Sequence, residues 1–136
     1  MNVPYVLREI RSHGLGFVLR RRGIHAGSRR AMMNSALNAY EERQGRTWLR
    51  SNPVYVQIEP TTACNLGCTM CGRQTAWDEL RRNTRYLPWQ VFMKTVPFLQ
   101  TAKNVALHGW GESLVHPELP EMANVAKRAG AIVDLT

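Results

Sequence analysis

The sequence predicts an α/β fold with three parallel strands, preceded by a basic helical N-terminal segment. Alternating apolar and polar residues at 54–58, a short apolar run at 104–108 and another at 131–135 are typical of strands. Apolar residues at helical spacing fill the intervals, which gives the order strand, helix, strand, helix, strand. We expect right-handed crossovers, a parallel sheet and ligand chemistry at the carboxyl ends of its strands.

Residues 1–50 form a predicted basic helical extension. They hold ten Arg and no Lys against three Glu, so they carry most of the net charge of +8. One helix is expected around residues 3–10, and Ser28 is expected to cap a second that runs to Gly45. We expect these helices to bury their apolar faces against the rest of the protein. Nucleic acid, an anionic membrane surface or an acidic partner are alternative ligands for the arginines.

Residues 53–136 form the predicted core, which begins after the breaker cluster at 51–53. A helix starting near Pro88 should be kinked by Pro97, because proline lacks the N–H that a helix interior needs. Another should open at Pro117 and end at Gly130. A further helical turn is expected at 77–82.

Membrane spanning and secretion are both unexpected. No apolar run approaches the ~20 residues that a spanning helix needs. No segment has the form of a cleavable leader. We therefore expect a cytoplasmic protein.

The chain's three cysteines lie within residues 64–71, a pattern that favours a metal over a disulfide framework.

Cys64, Cys68 and Cys71 are the predicted metal ligands. Thiolates are soft donors that suit iron–sulfur clusters and zinc. A closed zinc site needs four ligands, and His108 or His116 is a candidate for the fourth. A cubane cluster held by three cysteines instead leaves one iron open to a small molecule.

The cysteine spacing, directly after a first strand, resembles the signature loop of the radical S-adenosylmethionine (SAM) superfamily. The resemblance implies a [4Fe-4S] cluster on Cys64, Cys68 and Cys71 whose open iron chelates SAM. Reductive cleavage of SAM would then yield a 5′-deoxyadenosyl radical that abstracts hydrogen from the substrate. Met70 stands where the family usually has an apolar residue against the adenine.

A turn formed by Gly109, Trp110, Gly111 and Glu112 follows the second strand and resembles the family's Gly-Gly-Glu segment, with the tryptophan inserted. The glycines let the backbone approach the methionine part of SAM, and a carboxylate accepts hydrogen bonds from the ammonium of SAM. The resemblance implies that all four residues bind SAM. Trp110 is alternatively a packing residue.

Five further residues are weaker candidates. Gln57 and Glu59 are expected to point into the interior near the cluster, although Glu59 is equally a polar residue at a strand end. His108 and His116 are expected to be structural. Arg73 either screens cluster charge or contacts substrate, or is simply exposed.

The resemblance also implies an architecture and a function. Residues 53–136 would be the first half of a partial (β/α)6 TIM-like barrel, truncated after its third strand and unable to turn over alone. The enzyme would modify a peptide or small metabolite and draw electrons from a donor such as flavodoxin or ferredoxin. An RNA-modifying radical SAM enzyme, or a non-catalytic Cys3His zinc module, is the alternative.

Overall fold

The computed structural model describes residues 28–75 and 84–135. The elements in chain order are helix α1 (Arg29–Arg43), strand β1 (Tyr55–Ile58), helix α2 (Gly72–Thr75), helices α3 (Trp89–Met93) and α4 (Val96–Leu99), strand β2 (Asn104–Leu107), a 3₁₀ turn (Ser113–Val115), helix α5 (Leu119–Arg128) and strand β3 (Ile132–Asp134). The helix expected around residues 3–10 and the turn expected at 77–82 lie outside the described residues.

The three strands form one sheet in the order β1-β2-β3, and both neighbouring pairs are parallel. Gln57 pairs with Ala106, which in turn pairs with Asp134. The predicted α/β class and its parallel sheet are therefore confirmed. Assignment to half of a barrel stays a prediction.

One face of the sheet carries the hydrophobic core. Val56, Ile58, Val105, Leu107 and Val133 point to this face, as the two-residue period of a strand requires. They pack against side chains from α3, α4 and α5, chiefly Phe92, Leu99, Met122 and Ala126. Each large side chain that becomes fully buried contributes about 1.5–3 kcal/mol. The other face is more polar and includes Gln57 and Asp134, both of which are exposed.

The helix expected after Pro88 is two short helices, α3 and α4. Pro88 is the N-cap of α3, and Phe92 in its last turn is fully buried. Between α3 and α4, Lys94 N and Thr95 N bond the carbonyls three residues back, Val91 O at 3.1 Å and Phe92 O at 2.9 Å, so a tighter turn separates the two helices. Pro97 lies in the first turn of α4, where its missing N–H costs no hydrogen bond.

Helix α5 confirms the expected amphipathic pattern. It begins at Leu119, two residues after Pro117, and carries Pro120 in its first turn. Leu119, Met122 and Ala126 are buried against the sheet. Gly130 follows the helix with φ of +93°, the left-handed conformation that favours glycine after a helix.

Helix α1 begins as predicted but docks through its polar face. The Ser28 hydroxyl accepts a hydrogen bond from Ala31 N at 3.2 Å and so caps the helix. The Asn34 side chain bonds both backbone groups of Asn52 (N to Oδ1 2.8 Å, Nδ2 to O 2.9 Å) and donates to Thr101 O at 3.2 Å. Glu41 is fully buried and is described below.

The expectation that this helix buries its apolar face is therefore wrong for α1. Its large apolar residues Met32, Met33, Leu37 and Tyr40 are all exposed. The physical reason is the surface that α1 covers. That surface is irregular backbone at 50–52 and 100–101, whose N–H and C=O groups need polar partners.

These contacts place α1 at the amino ends of the strands. The segments it bonds, 50–52 and 100–101, lie shortly before β1 and β2. Ser28 also lies against Gly130, which comes just before β3. A Cβ built on this glycine would lie 3.0 Å from the Ser28 Cβ. None of the described helices is long and apolar enough to cross a membrane.

Glu41 should make the attachment of α1 dependent on pH. Its carboxylate accepts hydrogen bonds from Arg50 N at 2.9 Å and Ser51 N at 3.1 Å, and Arg46 lies 4.0 Å away. The Arg50 amide is the main cause that lowers the pKa of Glu41 below its usual value. A lowered pKa means that the stabilisation is present above the ordinary carboxyl range and is lost as the pH falls through the folded-state pKa.

We expect Glu41→Gln to lower the midpoint of thermal unfolding at neutral pH, because an amide offers a single acceptor to two donors. The difference in unfolding midpoint between the variant and the unsubstituted protein should shrink in acid, where Glu41 itself is protonated. Glu42→Gln, at the exposed neighbouring position, is the matched control. A deficit that stays constant across the acid range contradicts the assignment.

Candidate functional site

The cysteine loop leaves β1 through a stem, residues 60–63, that pairs with a second segment. This segment, residues 85–87, runs antiparallel to the stem. Leu87 N donates to Pro60 O at 2.8 Å. The buried Thr61 hydroxyl donates to a carbonyl of the same segment at 2.7 Å. The stem is therefore held along one side before the first cysteine is reached.

The glycine-glutamate turn lies directly against the stem. A Cβ built on Gly111 would lie 2.0 Å from Thr61 O and 2.6 Å from Ala63 O, so only glycine fits. Glu112 N donates to Ala63 O at 2.8 Å. At Gly111 the close approach is to the chain's own backbone, and the expected approach of these glycines to SAM stays a prediction. The two motifs meet at the carboxyl ends of β1 and β2.

Glu59 holds the beginning of the same turn. Its Oε1 accepts a hydrogen bond from Trp110 N, and a Cβ on Gly109 would lie 2.5 Å from the Glu59 Cγ. A depression of about 560 Å³ is lined by Gln57, Glu59, Gly109 and Trp110. Glu59 is thus a partner of the turn rather than only a polar strand end, and both predicted interior residues line this depression.

Trp110 connects the turn to the far end of the cysteine loop. A Cβ built on Gly72 would lie 3.3 Å from its ring. Gly72 follows Cys71 directly, so the indole covers the backbone where the loop ends. Met70, in contrast, is 93% exposed and contributes little packing to the loop.

Glu112 has a structural role that the sequence did not reveal. Its Oε1 accepts a hydrogen bond from Leu114 N at 3.1 Å and caps the 3₁₀ turn. The next side chain, Ser113, is buried, and its hydroxyl has no hydrogen-bond partner among the described residues. The predicted contact between Glu112 and SAM stays a prediction.

All three cysteines are free thiols in a loop without regular secondary structure. Cys64 is partly buried, and its Sγ accepts a hydrogen bond from Leu66 N at 3.4 Å. Cys68 is exposed, and its carbonyl accepts from Cys71 N at 3.2 Å. Within residues 28–75 and 84–135, no three His, Cys, Asp or Glu side chains lie together as a metal-binding group.

The donor set still fits an iron–sulfur cluster in its chemistry. Three thiols on one short loop supply the soft donors that such clusters take. Ligands of this kind must lose their protons to bind, and the assembled site forms together with its metal. The fit therefore rests on the type and number of donors and on the anchored stem. The role of these cysteines as ligands stays a prediction.

Arg73 is buried, so of the alternatives for this residue simple exposure is wrong. Arg73 is 5% exposed, and its Nε donates a hydrogen bond to Thr62 O at 3.1 Å. A guanidinium therefore packs against the stem, two residues after the last cysteine. Its sequence position at the start of a short helix carried no signal of burial.

His116 is structural, as predicted. Its Nδ1 accepts a hydrogen bond from Glu118 N at 3.0 Å, which leaves Nε2 to donate to Leu87 O at 3.2 Å. Its ring also meets Tyr86 edge-on at 5.4 Å. Both ring nitrogens are occupied, so His116 is not the fourth ligand of a zinc site in this arrangement. His108 is partly exposed, and its carbonyl accepts from the Gln57 side chain at 3.2 Å.

Comparisons with known proteins give one partial similarity. The chain is 34% identical over 80 residues to GTP 3′,8-cyclase of Chlorobaculum tepidum, a radical SAM enzyme. The match covers 57% of this chain and 23% of that protein, so the chain spans less than a quarter of its relative's length. No family model and no solved structure matches the chain. The similarity supports the radical SAM superfamily at most.

Gly111→Ala should separate the turn from the stem, because the added methyl group would overlap Thr61 O. We expect the free energy of unfolding in denaturant to fall by about 1–3 kcal/mol, the usual cost of overpacking. Gly67→Ala in the cysteine loop is the control, since its Cβ would meet nothing within 4 Å. Equal stabilities for the two variants would show that the stem and turn are not in contact.

Proposed function

We propose that this chain provides the cluster-binding and SAM-binding part of a radical SAM enzyme. Cys64, Cys68 and Cys71 hold a [4Fe-4S] cluster, while Met70 and the turn from Gly109 to Glu112 bind SAM. The observation that carries the proposal is the bond of 2.8 Å from Glu112 N to Ala63 O. It joins the turn to the residue that precedes the first cysteine. The partial similarity to a radical SAM enzyme supports the same superfamily.

The residues of this chain have distinct parts in such a site. When bound, the cluster supplies the electron for reductive cleavage of SAM. The Leu114 amide holds the Glu112 carboxylate in one position. An anchored carboxylate is suited to accept hydrogen bonds from the SAM ammonium, because no orientation has to be fixed on binding. The buried guanidinium of Arg73 offsets part of the negative charge that three thiolates bring.

The proposed substrate is a peptide or small metabolite, and the proposed electron donor is a flavodoxin or ferredoxin. The substrate class rests on the tryptophan inserted between the glycines of the turn, a form that resembles peptide maturases and cofactor-biosynthesis enzymes. The depression beside this turn is lined by Gln57, Glu59, Gly109 and Trp110, an aromatic and polar wall suited to such a ligand.

Metal content tests the proposal directly. Protein prepared without oxygen and reconstituted with iron and sulfide should hold about four iron and four sulfide per chain. Cys68→Ala should lose most of both, whereas Thr69→Ala, which removes no sulfur from the same exposed stretch, should retain them. Stoichiometric zinc with little iron or sulfide would refute the enzyme and leave a zinc module with a ligand other than His116.

Glu112→Gln separates the two roles of this residue. The amide oxygen can still accept from Leu114 N, so the 3₁₀ turn and the cluster should survive. Loss of the charge should weaken SAM binding by roughly tenfold to a hundredfold, the value of a hydrogen bond between charged groups. Anaerobic titration of reconstituted protein with SAM measures this, with Glu118→Gln as a nearby exposed control. Loss of iron from Glu112→Gln would instead show that the residue supports the cluster.

A further inference from the structure

Helix α1 presents an apolar face to solvent. Met32, Met33, Leu37 and Tyr40 are 53%, 70%, 39% and 53% exposed. At about 100° per residue, Met33, Leu37 and Tyr40 lie within about 60° of one another. This strip runs beside Asn34 and Glu41, the polar residues that bond the backbone of the core. Such a face usually marks an interaction site.

The segment after α1 extends this surface. The Arg46 guanidinium lies over the Tyr40 ring at 5.9 Å, so the chain folds back beside the end of the helix. Trp48 in this segment is 91% exposed, and Leu49 is 50% exposed. Tyrosine and tryptophan each combine an apolar ring with a polar group, a combination that suits the boundary between water and lipid.

The charge around the surface is positive. Arg29, Arg30, Arg43, Arg46 and Arg50 are all exposed. Residues 29–50 contain two acidic residues. Glu41 is buried and accepts hydrogen bonds from backbone amides, so Glu42 is the acidic residue at the surface. A symmetric contact between two copies through this face would bring arginines against arginines. An anionic surface complements both the charge and the apolar residues.

We propose that α1 and residues 46–49 dock this protein on an anionic lipid bilayer. Met33, Leu37, Tyr40 and Trp48 enter the boundary between headgroups and acyl chains, and the arginines bind lipid phosphates. The protein core replaces water on the polar side of the helix. Because α1 lies at the amino ends of the strands, docking leaves the cysteine loop facing away from the membrane. The inference does not depend on the proposed enzymatic function.

Vesicle flotation with the full chain tests the proposal. We expect binding to vesicles that contain phosphatidylglycerol and little binding to pure phosphatidylcholine. The double variant Met33→Gln with Leu37→Gln should weaken binding on the order of tenfold or more. Leu114→Gln changes another exposed leucine, 75% exposed and beyond the opposite end of β2, and should bind like the unsubstituted protein. Equal losses in both variants would overturn the assignment of this surface.

Two further measurements address charge and insertion. Arg29→Gln with Arg43→Gln should weaken binding roughly fivefold for each charge removed and flatten its salt dependence. Brominated lipids should quench a fluorescence component that Trp48→Phe removes. If the chain binds no vesicles, the proposal fails. A dimer that dissociates in the Met33, Leu37 double variant would then assign the face to a second copy.

Discussion

The candidate site depends on one contact between two stretches of backbone. Gly111 lies so close to the carbonyls of Thr61 and Ala63 that no side chain fits between them, and Glu112 N bonds Ala63 O. Parallel neighbouring strands make this contact possible, since the loops that follow β1 and β2 leave the same edge of the sheet. A bond of this kind fixes the entry to the cysteine loop against the turn. Side-chain contacts alone would leave more freedom.

The stem is also held from its other side. Residues 85–87 pair with it, and His116 ties the same segment to the chain that follows the glycine turn. Cys64 to Cys71 lie in irregular backbone, and hydrogen-bonded residues flank them at the stem and at Arg73. A ligand loop built in this way can adjust its sulfur atoms without disturbing the strands that support it.

Periodicity predicted the strands and most of the helices because it reports local geometry and burial on one face. The three strands, the Ser28 cap and the Gly130 end lie within about two residues of their predicted places. The docking of α1 was predicted wrongly, because the surface that it covers is irregular backbone whose N–H and C=O groups need polar partners. The pairing of residues 60–62 with 85–87 and the burial of Arg73 had no local signal. Both depend on partners distant in the sequence or on the shape of the stem.

The polar attachment of α1 has a consequence for how the helix tolerates change. A helix packed through leucines can roll or slide by a fraction of a turn with small loss, whereas Asn34 bonds three backbone atoms with defined directions. Turning α1 by a single residue would break all three bonds at once. The helix therefore cannot rotate about its own axis, and its solvent-facing side is as fixed as any surface of the core.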